Sequence, residues 1–427
     1  MKKFCKLVCM MIAVSICFIG CRENRQASAP LSDIPQAGER KEVTALSEQF
    51  KTGINNFSYQ IFEQLENGEN IFISPYSMAV DLSMLDNGAE GKSKEEIEQM
   101  LGIKDLEDWN ACVKYYMSFN KDEKSKLLTA NSLWLSEDIV LSDNAESEFF
   151  NPVQWYYDAE KKQMNLASTD AMKQINQWVS DHTNGMIDSI LNEPLEKSIK
   201  MALLNAVYFK GEWKEQFEKE NTQKAEFYGK DKTLETDMMH QANKKYKYIE
   251  KDGIKAIELP YANGQTAMDI FIPMSDVKKN EPLKNISELF SNLSIEEKAE
   301  LFTTLSGADE QTICVVELPK FELEYGMIDI SASLQKLGMK EPFCNASEFS
   351  KISPNLQVGQ VFHKAKVEVD EKGTKASAVT MITKENGVEA FVDEEIKEFI
   401  VDKPFIFAIR DVENDVILFM GSMQNLE

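Results

Sequence analysis

From Lys41 to Glu427 the chain runs without a linker, an internal repeat or a low-complexity tract, and helical and strand periodicities mix along it. A continuous stretch of that length calls for one large core, and the mixed periods make it an α+β domain. Its first element is a long amphipathic helix: Val43, Leu46, Phe50, Ile54, Phe57, Ile61 and Leu65 recur every three or four residues. Its last is a hairpin. The apolar runs Phe405–Ile409 and Val416–Met420 are joined by a polar, acidic turn and read as strands buried on both faces. A chain that is 43% hydrophobic can fill such a core.

The segment ahead of the domain reads as an export signal over residues 1–20. Lys2 and Lys3 precede an apolar run, Leu7 to Ile19, too short to span a bilayer comfortably and of the size of a signal-peptide core. It ends Phe18-Ile19-Gly20-Cys21. A small residue directly before cysteine resembles the lipobox of bacterial lipoproteins, although Phe18 stands where leucine is usual. The resemblance implies that Cys21 becomes the lipid-carrying first residue of the mature chain. The alternative is an ordinary cleaved signal with an incidental Cys21, which gives a secreted protein. Residues 21–40 are polar, carry Pro30, Pro35 and Gly38, and read as a flexible tether. The expected location is therefore outside the cytoplasm, on a bacterial membrane at the cell surface or its periplasmic face.

Charge and rare residues exclude several function classes. The formal net charge of −24 repels nucleic acid and anionic lipid, so no nucleic-acid partner is expected. Three histidines, His182, His240 and His363, leave few places for a hydrolytic general base. Cys5, Cys9 and Cys17 lie in the signal. Cys112, Cys314 and Cys344 remain, far apart, with no Cys or His spacing that holds a metal; neither metal nor cofactor is expected, and one disulfide among the three stays open.

Four segments, in order across nearly all of Lys41 to Glu427, resemble serpin signatures. They are Asn70-Ile71-Phe72-Ile73-Ser74-Pro75-Tyr76-Ser77 with Gly88-Ala89-Glu90-Gly91; Leu204-Asn205-Ala206-Val207-Tyr208-Phe209-Lys210-Gly211-Glu212-Trp213; His363-Lys364-Ala365-Lys366-Val367-Glu368-Val369; and Phe399 to Ile409 with Asp402-Lys403-Pro404-Phe405. The resemblance implies a serpin fold: three β-sheets, about nine helices and an exposed reactive-centre loop. It also implies roles. Ser74, Ser77, Asn205 and His363 would form the shutter, a polar network under the centre of the main sheet. Trp213 would sit at the breach, where the loop enters that sheet. Independently, these are polar groups among apolar neighbours, which must find hydrogen-bond partners.

Ala365, Val367 and Val369 alternate with Lys366, Glu368 and Asp370, the mark of a half-buried strand. The strand runs into Glu371-Lys372-Gly373-Thr374-Lys375-Ala376-Ser377-Ala378-Val379-Thr380, which resembles the hinge of inhibitory serpins. That mechanism inserts the cut loop into the main sheet and traps the protease as an acyl-enzyme. Insertion sends every second side chain inward. Those are Thr374, Ala376, Ala378, Thr380 and Ile382, all small, β-branched or apolar, and no proline interrupts them. Lys375 stands where glutamate is usual, but on the outward register; Gly359 stands where serine is common. Lys384 falls on the inward register, so either full burial stops near Ile382 or the amine snorkels out.

Counting from the hinge glycine puts the scissile bond at Gly387–Val388, and counting back from Pro404 puts it later. Candidates run from Asn386 to Phe391. Val388 and Ala390 suit elastase-like pockets and Phe391 chymotrypsin-like ones. The resemblance thus implies a monomeric, non-enzymatic inhibitor that forms a covalent complex with a serine protease, with cysteine proteases as a further target class. The competing reading is a non-inhibitory binding or carrier protein on the same scaffold; a hydrolase is a third.

Overall fold

The computed structural model describes residues 40–119, 125–275, 285–359, 361–374 and 396–426. Ten α-helices lie among them: α1 (Glu48–Leu65), α2 (Pro75–Asp86), α3 (Gly91–Leu101), α4 (Leu106–Phe119), α5 (Asn151–Tyr157), α6 (Thr169–His182), α7 (Ile286–Ser291), α8 (Ile295–Ser306), α9 (Ser331–Lys336) and α10 (Glu341–Cys344). The strands are β1 (Ile71–Ile73), β2 (Ser125–Ser136), β3 (Glu160–Met164), β4 (Met201–Glu212), β5 (Gln223–Tyr228), β6 (Thr233–Lys251), β7 (Ile254–Pro260) and β8 (Thr266–Pro273). They continue with β9 (Thr312–Pro319), β10 (Phe321–Asp329), β11 (Phe362–Asp370), β12 (Gly373–Thr374), β13 (Lys397–Ile400), β14 (Phe405–Asp411) and β15 (Val416–Met423).

Local chemistry explains the elements that frame the site. Ser47 caps α1, accepting from the Phe50 amide at 3.4 Å, and the predicted stripe Phe50, Ile54, Phe57 and Ile61 is buried. Ser74 caps α2 in the same way and Pro75 opens it, where a missing N–H costs nothing. Every residue of α2 except Asp81 is buried, the pattern of a helix that runs through a core rather than over it. The closing hairpin is buried along both strands, as its unbroken apolar runs require.

The strands form three sheets. β6 is long enough to serve two of them: its first part pairs with β5 and β9, its last residues with β7. The third sheet has the order β10-β11-β12-β4-β2-β3. β2 and β4 pair antiparallel over a long register, from Ser125 opposite Gly211 to Leu135 opposite Met201. β10 and β11 form a second antiparallel pair. Only the two residues of β12 bridge these pairs, and only at one end. Below that bridge β4 pairs with β2 alone and β11 with β10 alone among the described residues.

A charged cluster lies in the core. Arg410 on β14 is fully buried and its guanidinium bonds Asp269 at 2.9 Å, Glu258 at 3.1 Å and Asp415 at 3.0 Å. Partners on β7, β8 and the hairpin turn thus hold one side chain, and an unpaired charge in that place would cost several kcal/mol. Cys112 and Cys314 are buried free thiols and Cys344 is an exposed one, so no disulfide forms among the three.

Candidate functional site

The expected hinge residues Glu371, Gly373 and Thr374 lie in and just after the turn between β11 and β12. The Asp370 carboxylate accepts from the Lys372 amide at 2.8 Å and the Gly373 amide at 3.2 Å, closing an Asx-type turn. Gly373 has φ of 146°, and a Cβ there would lie 2.1 Å from the Gly211 carbonyl oxygen, so only glycine fits. Thr374 is 2% exposed. Its hydroxyl shares a 2.8 Å hydrogen bond with the Tyr261 hydroxyl, and its backbone pairs with Gly211 of β4 and Val369 of β11. Thr374 has therefore already entered the sheet, where the sequence suggested that it waits outside.

Glu371 anchors the turn. Its carboxylate accepts from Thr222 at 3.1 Å and pairs with Lys320 at 3.1 Å, while its carbonyl accepts from the Phe217 amide. Burial pulls the carboxyl upward, but these donors and the lysine outweigh it and hold the pKa below the usual glutamate range. Trp213, the residue expected at the breach, packs beside it. The indole N–H donates to the Asp370 carbonyl at 3.0 Å, the Trp213 amide donates to Lys372, and the ring stacks on Tyr261 with centroids 4.7 Å apart. Tyr261 carries no signature in the sequence, yet it joins the tryptophan to Thr374.

The residues expected to form the shutter meet at the start of α2. The Ser74 amide donates to His363 Nε2 at 3.1 Å, and its hydroxyl donates to the Leu418 carbonyl at 2.9 Å. The Ser77 hydroxyl donates to Asn205 Oδ1 at 2.5 Å, and Asn205 Nδ2 donates to Asn131 Oδ1 at 2.6 Å. Asn131 passes the chain on to the Tyr157 carbonyl at 2.7 Å. His363 is on β11 and Asn205 on β4, so one helix end holds both sides of the separated strands. Burial pushes the His363 pKa down to about 3, which keeps Nε2 a bare acceptor. Asn131 was not foreseen; an asparagine in the run Leu127–Leu135 is the signal that could have found it.

Between the separated strands lies an apolar cavity. Met201, Leu203, Gly359 and Val361 line it, and Asp81 of α2 reaches it from below. Asp81 is the single acidic or basic residue among the described residues that line it. Its Oδ1 is buried and has no hydrogen-bond partner, and burial pushes its pKa up to about 8. Ala376, Ala378, Gly387, Val388 and Phe391, the rest of the predicted hinge and bond, lie outside the described residues, as does Cys21.

A three-sheet α+β scaffold whose principal sheet stands open below a two-residue hinge strand defines the class that the motifs anticipated. The family model described as "Serpin (serine protease inhibitor)" matches residues 52–426, and the chain belongs to the serpin family, a family of protease inhibitors. An uncharacterized serpin-like protein of Thermococcus kodakarensis is 32% identical, over 92% of this chain and 88% of its own. Intracellular coagulation inhibitor 2 of Tachypleus tridentatus is 31% identical, over 89% of this chain and 91% of its own. The crystal structure of the thermophilic serpin tengpin in the native state superposes with a TM-score of 0.78 at 30% identity, covering 91% of this chain and 96% of that one.

Proposed function

We propose that the protein is a suicide inhibitor of serine proteases: the loop after Thr374 is cut, the acyl-enzyme forms, and the cut loop becomes a new strand before deacylation. One observation carries this reading. Gly373 and Thr374 already pair with both β4 and β11, while the same two strands stand apart below them. Continuing that pairing residue by residue would set Thr380 opposite Asn205 and His363 and complete the sheet over the shutter. A new central strand gains two rows of backbone hydrogen bonds and buries Ala376, Ala378, Thr380 and Ile382. A non-inhibitory carrier has no need of so regular a series of small inward residues.

The bond attacked lies between Asn386 and Phe391, with Gly387–Val388 the first choice, and the residues around it suit elastase- or chymotrypsin-like pockets. Cysteine proteases of matching preference are a further target class. The lipobox-like Cys21 is read as a lipid anchor that displays a monomeric inhibitor outside a bacterial cytoplasm. Incubation with elastase, chymotrypsin and trypsin decides the main point. A complex that survives SDS, with the loop peptide released from the inhibitor, is expected with one of the first two. Cleavage of the loop by all three with no such complex would support the carrier instead.

A further inference from the structure

We infer that Tyr261 is the positioning residue of insertion: its hydroxyl holds Thr374 in the sheet before the loop is cut, so that the first rung of the new strand is already made when the acyl-enzyme forms. The inference rests on the insertion reading above and assigns the register of that reading to one hydrogen bond.

Three observations meet at this bond. The first is burial. Tyr261 is fully buried, Thr374 is almost so, and their hydroxyls lie 2.8 Å apart. Among the described residues neither hydroxyl has another hydrogen-bond partner. The second is fixity. The Tyr261 ring stacks on Trp213 with planes 6° apart and meets Phe209 edge-on at 5.0 Å, while the Tyr261 amide donates to the Thr266 carbonyl at 2.9 Å. The ring therefore cannot swing away to find a new partner. The third is the room made for it. Gly211 is the β4 residue opposite Thr374, and a Cβ on it would lie 2.6 Å from the Tyr261 ring. The missing side chain lets the phenol reach the hinge. A phenylalanine would fill the same slot; the hydroxyl adds only the bond to Thr374.

Withdrawal of Thr374 thus has a cost that falls on Tyr261. The threonine would regain water, but the phenol would stay deep in the fold with its partner gone. The bond therefore keeps Gly373 and Thr374 paired with both β4 and β11 in the uncut protein. This matters in the race that follows cutting. A strand that starts from nothing must order several residues between two ladders before it gains from them, as in any loop closure. A strand that starts from a fixed rung adds one residue at a time. It also keeps its register, and a slip by one residue would turn every side chain to the wrong face. Tyr261 acts through Thr374, so its hydroxyl decides how the acyl-enzyme divides between trapping and deacylation.

The test takes wild type, Tyr261→Phe, Thr374→Val, Thr374→Ser and the double variant Tyr261→Phe with Thr374→Val. It measures the stoichiometry of inhibition of elastase and chymotrypsin, and amide hydrogen exchange in the uncut protein. Tyr261→Phe and Thr374→Val should each raise the stoichiometry several-fold. The double variant should go no further than the worse single one, and Thr374→Ser, which keeps the hydroxyl, should match wild type. In the uncut protein, peptides across residues 366–374 should exchange faster in Tyr261→Phe than in wild type, while those across β14 and β15 stay as protected as before. If that exchange is unchanged, if the stoichiometry of Tyr261→Phe stays at the wild-type value, or if the two effects multiply in the double variant, the hydroxyl pair does not position the hinge. If wild type forms no complex with either protease while the exchange result holds, the pair holds the hinge but the insertion reading fails, and this inference falls with it.

Discussion

At the scale of single residues, the shutter depends on which protons are absent. His363 must accept from the Ser74 amide, and an imidazolium has no acceptor left. In the unfolded chain the pKa returns to about 6.5, whereas burial holds it at about 3 in the fold. Between those values the unfolded state binds more protons. His363 therefore contributes fully above about pH 6.5 and its contribution falls as pH drops toward 3. Glu371 adds a loss of the same sign at lower pH, since its folded pKa lies below the unfolded one. Urea unfolding at pH 5 and pH 7 measures the first effect. Wild type should lose clearly more stability between them than His363→Gln, whose amide oxygen can still accept from Ser74; equal losses would assign the pH dependence elsewhere. Ser74, Asn205 and His363 could be picked out from their motifs. Asp81 could not, because nothing local says that an acid in a helix lines a cavity. Tyr261 and Asn131 were hidden for a similar reason: their partners are supplied by segments about 110 and 70 positions away.

At the scale of elements, β12 is the shortest of the described strands and the most consequential. It is two residues long, yet it fixes the register for everything that follows it. The sequence revealed β11 by its alternation, and the small residues that suggested a hinge after it lie outside the described residues. It did not reveal where the insertion begins, because that depends on Gly373 lying against the Gly211 carbonyl and on Tyr261 lying under Thr374. The Thr374→Arg substitution now bears on the uncut protein too. An arginine cannot stay beneath Tyr261 without a partner, so the hinge should leave the sheet before cleavage as well as resist re-entry after it. The expected signature is a loop cut at the normal bond, little covalent complex and a sharply higher stoichiometry of inhibition. Lys375→Arg, on the outward register, should behave as wild type. Efficient complex formation by Thr374→Arg would refute the register.

At the scale of the whole molecule, the proposed anchor at Cys21 and the serpin domain lie in separate parts of the chain. Cys21→Ser should move the protein from the membrane fraction to the soluble one and leave complex formation with protease unchanged; a variant that still fractionates with membranes would reject the lipid anchor. The helical stripe of α1 and the closing hairpin were legible because each is a local pattern. The sharing of β6 between two sheets was not, since pairing with β5, β9 and β7 is decided by segments on either side of it. One of those long pairings also sets an order in time. β1, near the start of the domain, has its partner in β15: Ile71 lies opposite Ser422 and Ile73 opposite Met420. A ribosome releases β15 long after β1, so β1 and the capped start of α2 just behind it stay without their neighbour while the intervening strands emerge. The strands that flank the opening can form earlier, yet the Leu418 carbonyl that receives the Ser74 hydroxyl arrives only after they have emerged. The polar network at the start of α2 is thus completed from β15, and until that strand arrives the Ser74 hydroxyl lacks its Leu418 acceptor while the bonds to His363 and Asn205 can already form.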